Sequence, residues 1–127
     1  VSTHQFTTRD LYDPLTFVEL RLGNEVRQRE WDPNGKITLY YRALELAGEA
    51  GEAMNVVKKL FREELGLRGS RANLDDLAEE LADVIICADL LAMDMRIDLG
   101  EAVRKKFNKT SSDLGLAEKL TYLGRGR

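Results

Sequence analysis

This chain of 127 residues carries one cysteine, one histidine, one tryptophan and two prolines. A single thiol, Cys87, forms no internal disulfide, so no disulfide framework supports the fold and nothing argues for an oxidising compartment. A single imidazole, His4, excludes the paired Glu-x-x-His ligands of carboxylate di-iron bundles, and His4 itself reads as a surface residue. No apolar run reaches membrane-spanning length: the best stretch, Leu81 to Met93, is interrupted by Asp83 and Asp89. The N-terminus lacks the basic-then-apolar pattern of a secretory signal. Charge of one sign is also scarce, with 19 basic against 22 acidic residues and a formal net charge of -3. That balance gives no general drive toward nucleic acid or anionic membranes, and neither is expected as a partner. The expected location is the cytoplasm.

What is present is helical periodicity. The length suits one domain over residues 1–127, with 1–12 an N-terminal arm and 113–127 an irregular tail. Asp13-Pro14 reads as an N-cap and first helical residue, followed by Leu15, Val18, Leu22 and Val26 at helical spacing to about residue 29. Asp32-Pro33-Asn34-Gly35 signals a turn. Thr38 is expected to cap a long second helix that runs to Glu64 and stops at Gly66. Asn73 is expected to cap a third, amphipathic helix through Leu77, Leu81, Val84, Ile85, Ala88 and Leu91. Asp98-x-x-Glu101 opens a fourth helix to about Lys109. No strand or hairpin signal is present, so the expected fold class is all-α, a bundle of about four helices.

The second and third helices carry matched acidic pairs. Glu49-x-x-Glu52 and Glu80-x-x-Asp83 each place two carboxylates three residues apart, on one helical face. Packed side by side, the two helices would gather four carboxylates, whose mutual repulsion a divalent cation would offset. Oxygen-only ligation suits Mg²⁺ or Mn²⁺. Gly48 and Gly51 flank the first pair, and mid-helix glycines imply close approach of a backbone or a ligand. From the residues alone, two readings stay open: a solvated acidic face and a metal site. The apolar setting of Glu80 and Asp83 favours burial, and hence a partner for their charge.

Taken together, Gly48-Glu-Ala-Gly-Glu52, Glu79-Glu-Leu-Ala-Asp83, Ile97-Asp98-Leu99 and Ala102-Val-Arg-Lys-Lys-Phe-Asn-Lys-Thr-Ser111 resemble the MazG-type all-α nucleoside triphosphate pyrophosphohydrolases. The resemblance covers roughly residues 38–115. Its finer texture is similar to a phage-associated, MazZ-like subgroup described as acting on dATP or dGTP. That texture lies in Arg42-Ala-Leu-Glu-Leu-Ala-Gly-Glu, Asn55-Val-Val-Lys-Lys59, Arg68-Gly-Ser-Arg-Ala72 and Lys106-Phe-Asn-Lys-Thr-Ser111. The resemblance implies hydrolysis of a triphosphate to monophosphate and pyrophosphate, with Glu49, Glu52, Glu80 and Asp83 ligating two or more Mg²⁺ ions (or Mn²⁺). It leaves no need for a histidine or cysteine nucleophile. Glu49 or Glu52 would accept the water's proton, and Glu45 and Glu79 would serve as auxiliary ligands. Lys59, Lys106, Asn108 and Lys109, with Arg71, would bind the triphosphate, and Asn55 would read a base or sugar edge. If the chain is phage-encoded, the compartment is the host cytoplasm.

On this resemblance the expected substrate is a purine deoxynucleotide, dGTP ahead of dATP or GTP. The role would be pool sanitation or supply of dGMP to an altered-purine nucleotide pathway. A pyrimidine enzyme acting on dCTP or dUTP, a phosphoribosyl-ATP hydrolase, and a non-catalytic helical module binding metal or a partner stand beside it. Unpaired apolar stripes imply a homodimer or homotetramer. Trp31 reads as core, with base stacking and a dimer contact as its other roles. Met54, Met93, Met95 and Cys87 read as packing residues.

Overall fold

A computed structural model describes residues 14–122. Four helices follow in order: α1 (Phe17–Trp31), α2 (Leu39–Glu64), α3 (Leu74–Asp94) and α4 (Leu99–Asp113). There is no strand among the described residues, as an all-α chain requires. The arm before residue 14, including His4 and Asp13, and the last five residues lie outside the described region.

Helix boundaries follow from local chemistry. The Thr38 hydroxyl accepts from the Tyr41 amide at the start of α2, and the Asn73 and Asp76 side chains exchange bonds with each other's backbone amides at the start of α3. These satisfy amides that have no partner inside the helix. Asp98 caps α4 by accepting from Glu101 at 3.0 Å. Glu101 does not return the bond; its carboxylate takes Arg104 and the Tyr122 hydroxyl instead. The α1 cap is Thr16, accepting from Glu19, so the helix begins after Pro14 and ends at Trp31. Asp32 then holds the turn, its two carboxylate oxygens accepting from the Lys36 and Ile37 amides at 2.9 Å each. Those bonds hold its pKa below the ordinary carboxylate value.

Helix α2 ends in a left-handed residue, Gly66 at φ +66, with Leu67 reaching back to the Arg62 carbonyl. Helix α3 ends the same way, but on Arg96 at φ +56, a conformation that costs a residue with a Cβ about 1–2 kcal/mol. Helix α4 runs one turn beyond Lys109 and stops at Gly115, φ +68. After it the chain folds back along α4. The Asn108 amide donates to the Leu120 carbonyl and accepts from the Leu120 amide, and Lys119 donates to Ser112.

The centre of the fold is the α2–α3 hairpin. Arg42 near the start of α2 pairs with Asp94 at the end of α3, while Glu52 lies near Glu80, so the two helices run antiparallel. Ala53, Val56 and Leu60 from α2 and Cys87, Leu90 and Ala92 from α3 make the buried apolar core. Helix α1 packs on α3 through polar groups. Arg21 forks onto Asp89 at 3.0–3.2 Å, Asn24 donates to the same carboxylate at 3.0 Å, and Asn24 and Asp89 are each only 1% exposed. The apolar stripe of α1 points the other way: Val18, Leu22 and Val26, with Leu15 just ahead of the helix, are 49–69% exposed. Met54, Met95 and Trp31 are also largely uncovered, against the packing roles read from sequence. A single copy therefore leaves much of its apolar surface open.

Candidate active site

Antiparallel packing brings the acidic pairs together. Glu49, Glu52 and Glu80 each offer an oxygen within 4.8 Å of the others. Glu49 and Glu80 are half-buried and Glu52 is exposed. Asp83 is not part of that closest trio, yet its charge acts on both Glu49 and Glu80.

The electrostatics are those of an uncompensated anionic site. Loss of hydration is the main effect raising the Glu49 pKa above the ordinary 4.5, with the charges of Asp83, Glu52, Glu80 and Glu45 adding to it. Glu80 is raised the same way, by desolvation first and then by Glu52, Asp83, Glu79 and Asp76. No lysine or arginine among the described residues forms an ion pair with any of the four. The Glu80 Oε2 and Glu45 Oε1 atoms are buried and accept no hydrogen bond. Buried acceptors left unsatisfied are costly. Clustered carboxylate oxygens without donors are the ligand set that a hard, oxygen-preferring cation takes. These residues fit a divalent metal.

Other residues singled out from the sequence are placed less centrally. Asn55 is exposed and Lys59 half-buried on α2, and Arg71 is exposed in the α2–α3 loop. Lys106, Asn108 and Lys109 lie on α4, which packs chiefly against α1. Asn108 is occupied by Leu120, and Lys109 by Asp113 at 2.6 Å. Both line a shallow groove of about 660 Å³ between α4 and the returning chain, where Arg104 stacks on the Tyr122 ring. That groove includes none of the four acids. Beside Gly48 and Gly51 there is open space, with no atom within 4 Å of where a Cβ would stand. No backbone among the described residues makes the close approach read from those glycines, and the space beside them is open.

A second cavity, of about 330 Å³, adjoins the acids themselves. It shares Glu49 and Asp83 with them and extends past Glu45 toward Tyr41, Gln28 and Trp31. Its wall is set by Arg42, 4% exposed, which donates to Asp94 and to the Gln28 amide oxygen at 2.9 Å each. Sequence reasoning missed this wall. Its one visible signal was a pair of aspartates, Asp89 and Asp94, set in the otherwise apolar second half of α3 from residue 84 on, where buried charge demands a basic partner.

The domain model described as the MazG nucleotide pyrophosphohydrolase domain matches residues 40–112, the segment that holds all four acids. A relative named Gene 37 protein, from Mycobacterium phage L5, is 38% identical over 74 residues. The shared stretch is 58% of this chain and 64% of that protein.

Proposed function

This chain belongs to the MazG nucleotide pyrophosphohydrolase domain family, and we propose that it hydrolyses a purine deoxynucleoside triphosphate, dGTP ahead of dATP, to the monophosphate and pyrophosphate. The observation that carries the reading is the trio Glu49, Glu52 and Glu80 within 4.8 Å on antiparallel helices, beside a buried carboxylate oxygen with no donor. Glu49, Glu52, Glu80 and Asp83 would hold two or more Mg²⁺ ions, with Mn²⁺ as a substitute. Such ions would supply countercharge to phosphate oxygens and a water of lowered pKa. The bond broken is a P–O bond of the α–β anhydride bridge; the water's oxygen ends on one product. Its proton passes to Glu49 or Glu52 acting as base. The other carboxylates position charge in advance, so little reorganisation accompanies the reaction. Lys59, Asn55 and the α4 side chains Lys106, Asn108 and Lys109, with Arg71, supply further countercharge and hydrogen bonds.

The reading includes self-association. Leu15, Val18 and Leu22 form an exposed apolar stripe at 56–69% exposure, and a homodimer or homotetramer in the cytoplasm would cover it. The fitting physiological role is supply of dGMP or removal of dGTP during phage growth. The relative from a mycobacteriophage supports that setting.

The test is incubation with each common NTP and dNTP plus Mg²⁺, with products resolved by ion exchange. Monophosphate and pyrophosphate formed fastest from dGTP are expected. Preference for dCTP or dUTP would keep the mechanism and reject the purine assignment. No turnover with Mg²⁺ or Mn²⁺ would leave a metal- or partner-binding module.

A further inference from the structure

We infer that the cavity between α1, α2 and α3 holds the nucleoside: Glu45 receives a sugar hydroxyl, and Trp31 and Tyr41 flank the base. This rests on reading the acidic site as a triphosphate hydrolase and adds to it the residues that select the nucleoside.

The order of groups along the cavity matches the order of groups in a nucleotide. Glu49, Glu45 and Tyr41 stand four residues apart on one stripe of α2, and all three line the cavity. Each step is about 6 Å, so Tyr41 lies about 12 Å along the helix from the acids. Phosphates held at the acids therefore direct the sugar toward Glu45 and the base toward the aromatic end. The cavity volume of about 330 Å³ falls within the range of small-molecule sites.

Glu45 presents an acceptor atom without a strong donor. Its side chain is 28% exposed, its Oε1 is fully covered, and that atom accepts no hydrogen bond. The nearest cation, Arg42, stands 4.0 Å from it, beyond hydrogen-bond reach. Arg42 is already committed to Asp94 and Gln28. The Cys87 thiol gives the Glu45 carboxylate a hydrogen bond, but a thiol is only a weak donor. A sugar hydroxyl supplies the missing hydrogen.

The aromatic end is exposed yet fixed. Trp31 is 73% and Tyr41 48% exposed, which is unusual for the only tryptophan of the chain. Trp31 closes α1 directly before the Asp32 turn, and that turn is locked by two backbone amides. Every base offers a π-face, so an exposed aromatic pair gives sequence-tolerant stacking. The Gln28 oxygen must face Arg42, a donor-only group. Its NH₂ is thus the donor it has left for an acceptor edge.

Two measurements on the full chain test this. The first is Trp31 fluorescence during titration with the α,β-methylene analogue of dGTP, with inorganic tripolyphosphate as control. Saturable change with the analogue and none with tripolyphosphate is expected; an unresponsive Trp31 with the analogue overturns the assignment of the base.

The second compares kcat/KM for the preferred deoxynucleotide and its 2′,3′-dideoxy counterpart. Wild type should favour the former by about 10-fold. Glu45→Met should bring the ratio near one, and Glu45→Gln, which keeps an acceptor oxygen, should restore part of it. Trp31→Ala, at an exposed position that tolerates the change, should raise KM about 10-fold with kcat kept. Turnover with an unchanged ratio in Glu45→Met, or an equal kcat loss on both nucleotides as an auxiliary metal ligand would give, overturns the sugar role and leaves the hydrolase reading standing. Absence of turnover with every nucleotide rejects the hydrolase reading, and the fluorescence titration then judges the cavity by itself.

Discussion

Replacing Asp89 with alanine tests how α1 is held, and with it the wall that carries Gln28 and Trp31. Asp89 is 1% exposed and takes three bonds from Arg21 and one from Asn24. Its loss strands two donors unequally. Arg21 is 21% exposed and keeps the Ile97 carbonyl at 2.8 Å, so its charge is partly rehydrated. Asn24 is 1% exposed and retains only a long contact of 3.5 Å to the Ile86 carbonyl, so its amide carries most of an unsatisfied-donor cost of about 1–3 kcal/mol. The lost charge-assisted bonds add about 1.5–3 kcal/mol. Breaking a buried pair from one side is expected to cost about 3–5 kcal/mol, and partial exposure of Arg21 places this one near 3. Urea unfolding followed by circular dichroism reads it as a midpoint shift of about 1.5 M for a slope near 2 kcal/mol/M. Asn24→Ala, which leaves the Arg21 fork intact, should cost less than half as much. Lys109→Ala, at a pair exposed by more than 60% on both sides, should change stability by no more than about 0.5 kcal/mol. An Asp89→Ala cost no larger than that of Lys109→Ala would refute the clamp.

Three further outcomes follow from named features. Arg96 sits at φ +56, so Arg96→Gly should stabilise by about 0.5–1 kcal/mol, seen as a higher Tm; a loss would mean that the side chain does more than strain the turn. Burial, reinforced by the charge of and a hydrogen bond to Glu45, pushes the Cys87 thiol up to about 12. Native protein at pH 8 should therefore react with a disulfide reagent more than about 100-fold slower than protein in urea. Glu49 and Glu80 are raised above 4.5 in the fold, so the folded chain holds more protons than the unfolded one just above that pH. Their contribution is fully present below 4.5 and is lost as pH rises through their folded values. Without divalent cation, Glu80→Gln should thus match or exceed wild-type Tm at pH 7 and lose that advantage near pH 4.5, and Mg²⁺ should raise the Tm of wild type alone.

Much of the fold was legible because it rests on short-range chemistry. Thr38, Asn73 and Asp98 cap where their side chains reach an amide three residues on, and Gly66 stops α2 because only a left-handed residue closes that end. The acidic trio was legible for a related reason: two carboxylates three apart share a face whatever surrounds them. What the sequence hid depends on which surface meets which. The stripe Leu15, Val18, Leu22 and Val26 looks like core, yet it is exposed while Arg21 and Asn24 bond α3 and Gln28 bonds Arg42 of α2. Periodicity reports a stripe and not what covers it. The end of α4 was misplaced because Lys-Thr-Ser-Ser contains no breaker before Gly115. Lys106, Asn108 and Lys109 share a helix, but spacing along that helix says nothing about its distance from α2. The cavity wall of Arg42, Gln28 and Tyr41 joins residues 13 and 14 apart across a turn, and no local pattern marks it.

On the proposed mechanism, four carboxylates on α2 and α3 drive metal-assisted cleavage of a triphosphate between its α and β phosphorus atoms. Phosphorus-31 NMR of dGTP with Mg²⁺, for wild type and Glu52→Gln side by side, reads that cleavage. Glu52 is exposed and removable without unfolding the chain, and losing a ligand should cost at least the roughly 100-fold at the upper end for losing a group that only orients one. A pyrophosphate resonance growing with that of dGMP is expected in wild type, absent without Mg²⁺ and at least about 100-fold slower in the variant. Orthophosphate in place of pyrophosphate, or equal rates in the two proteins, would contradict it.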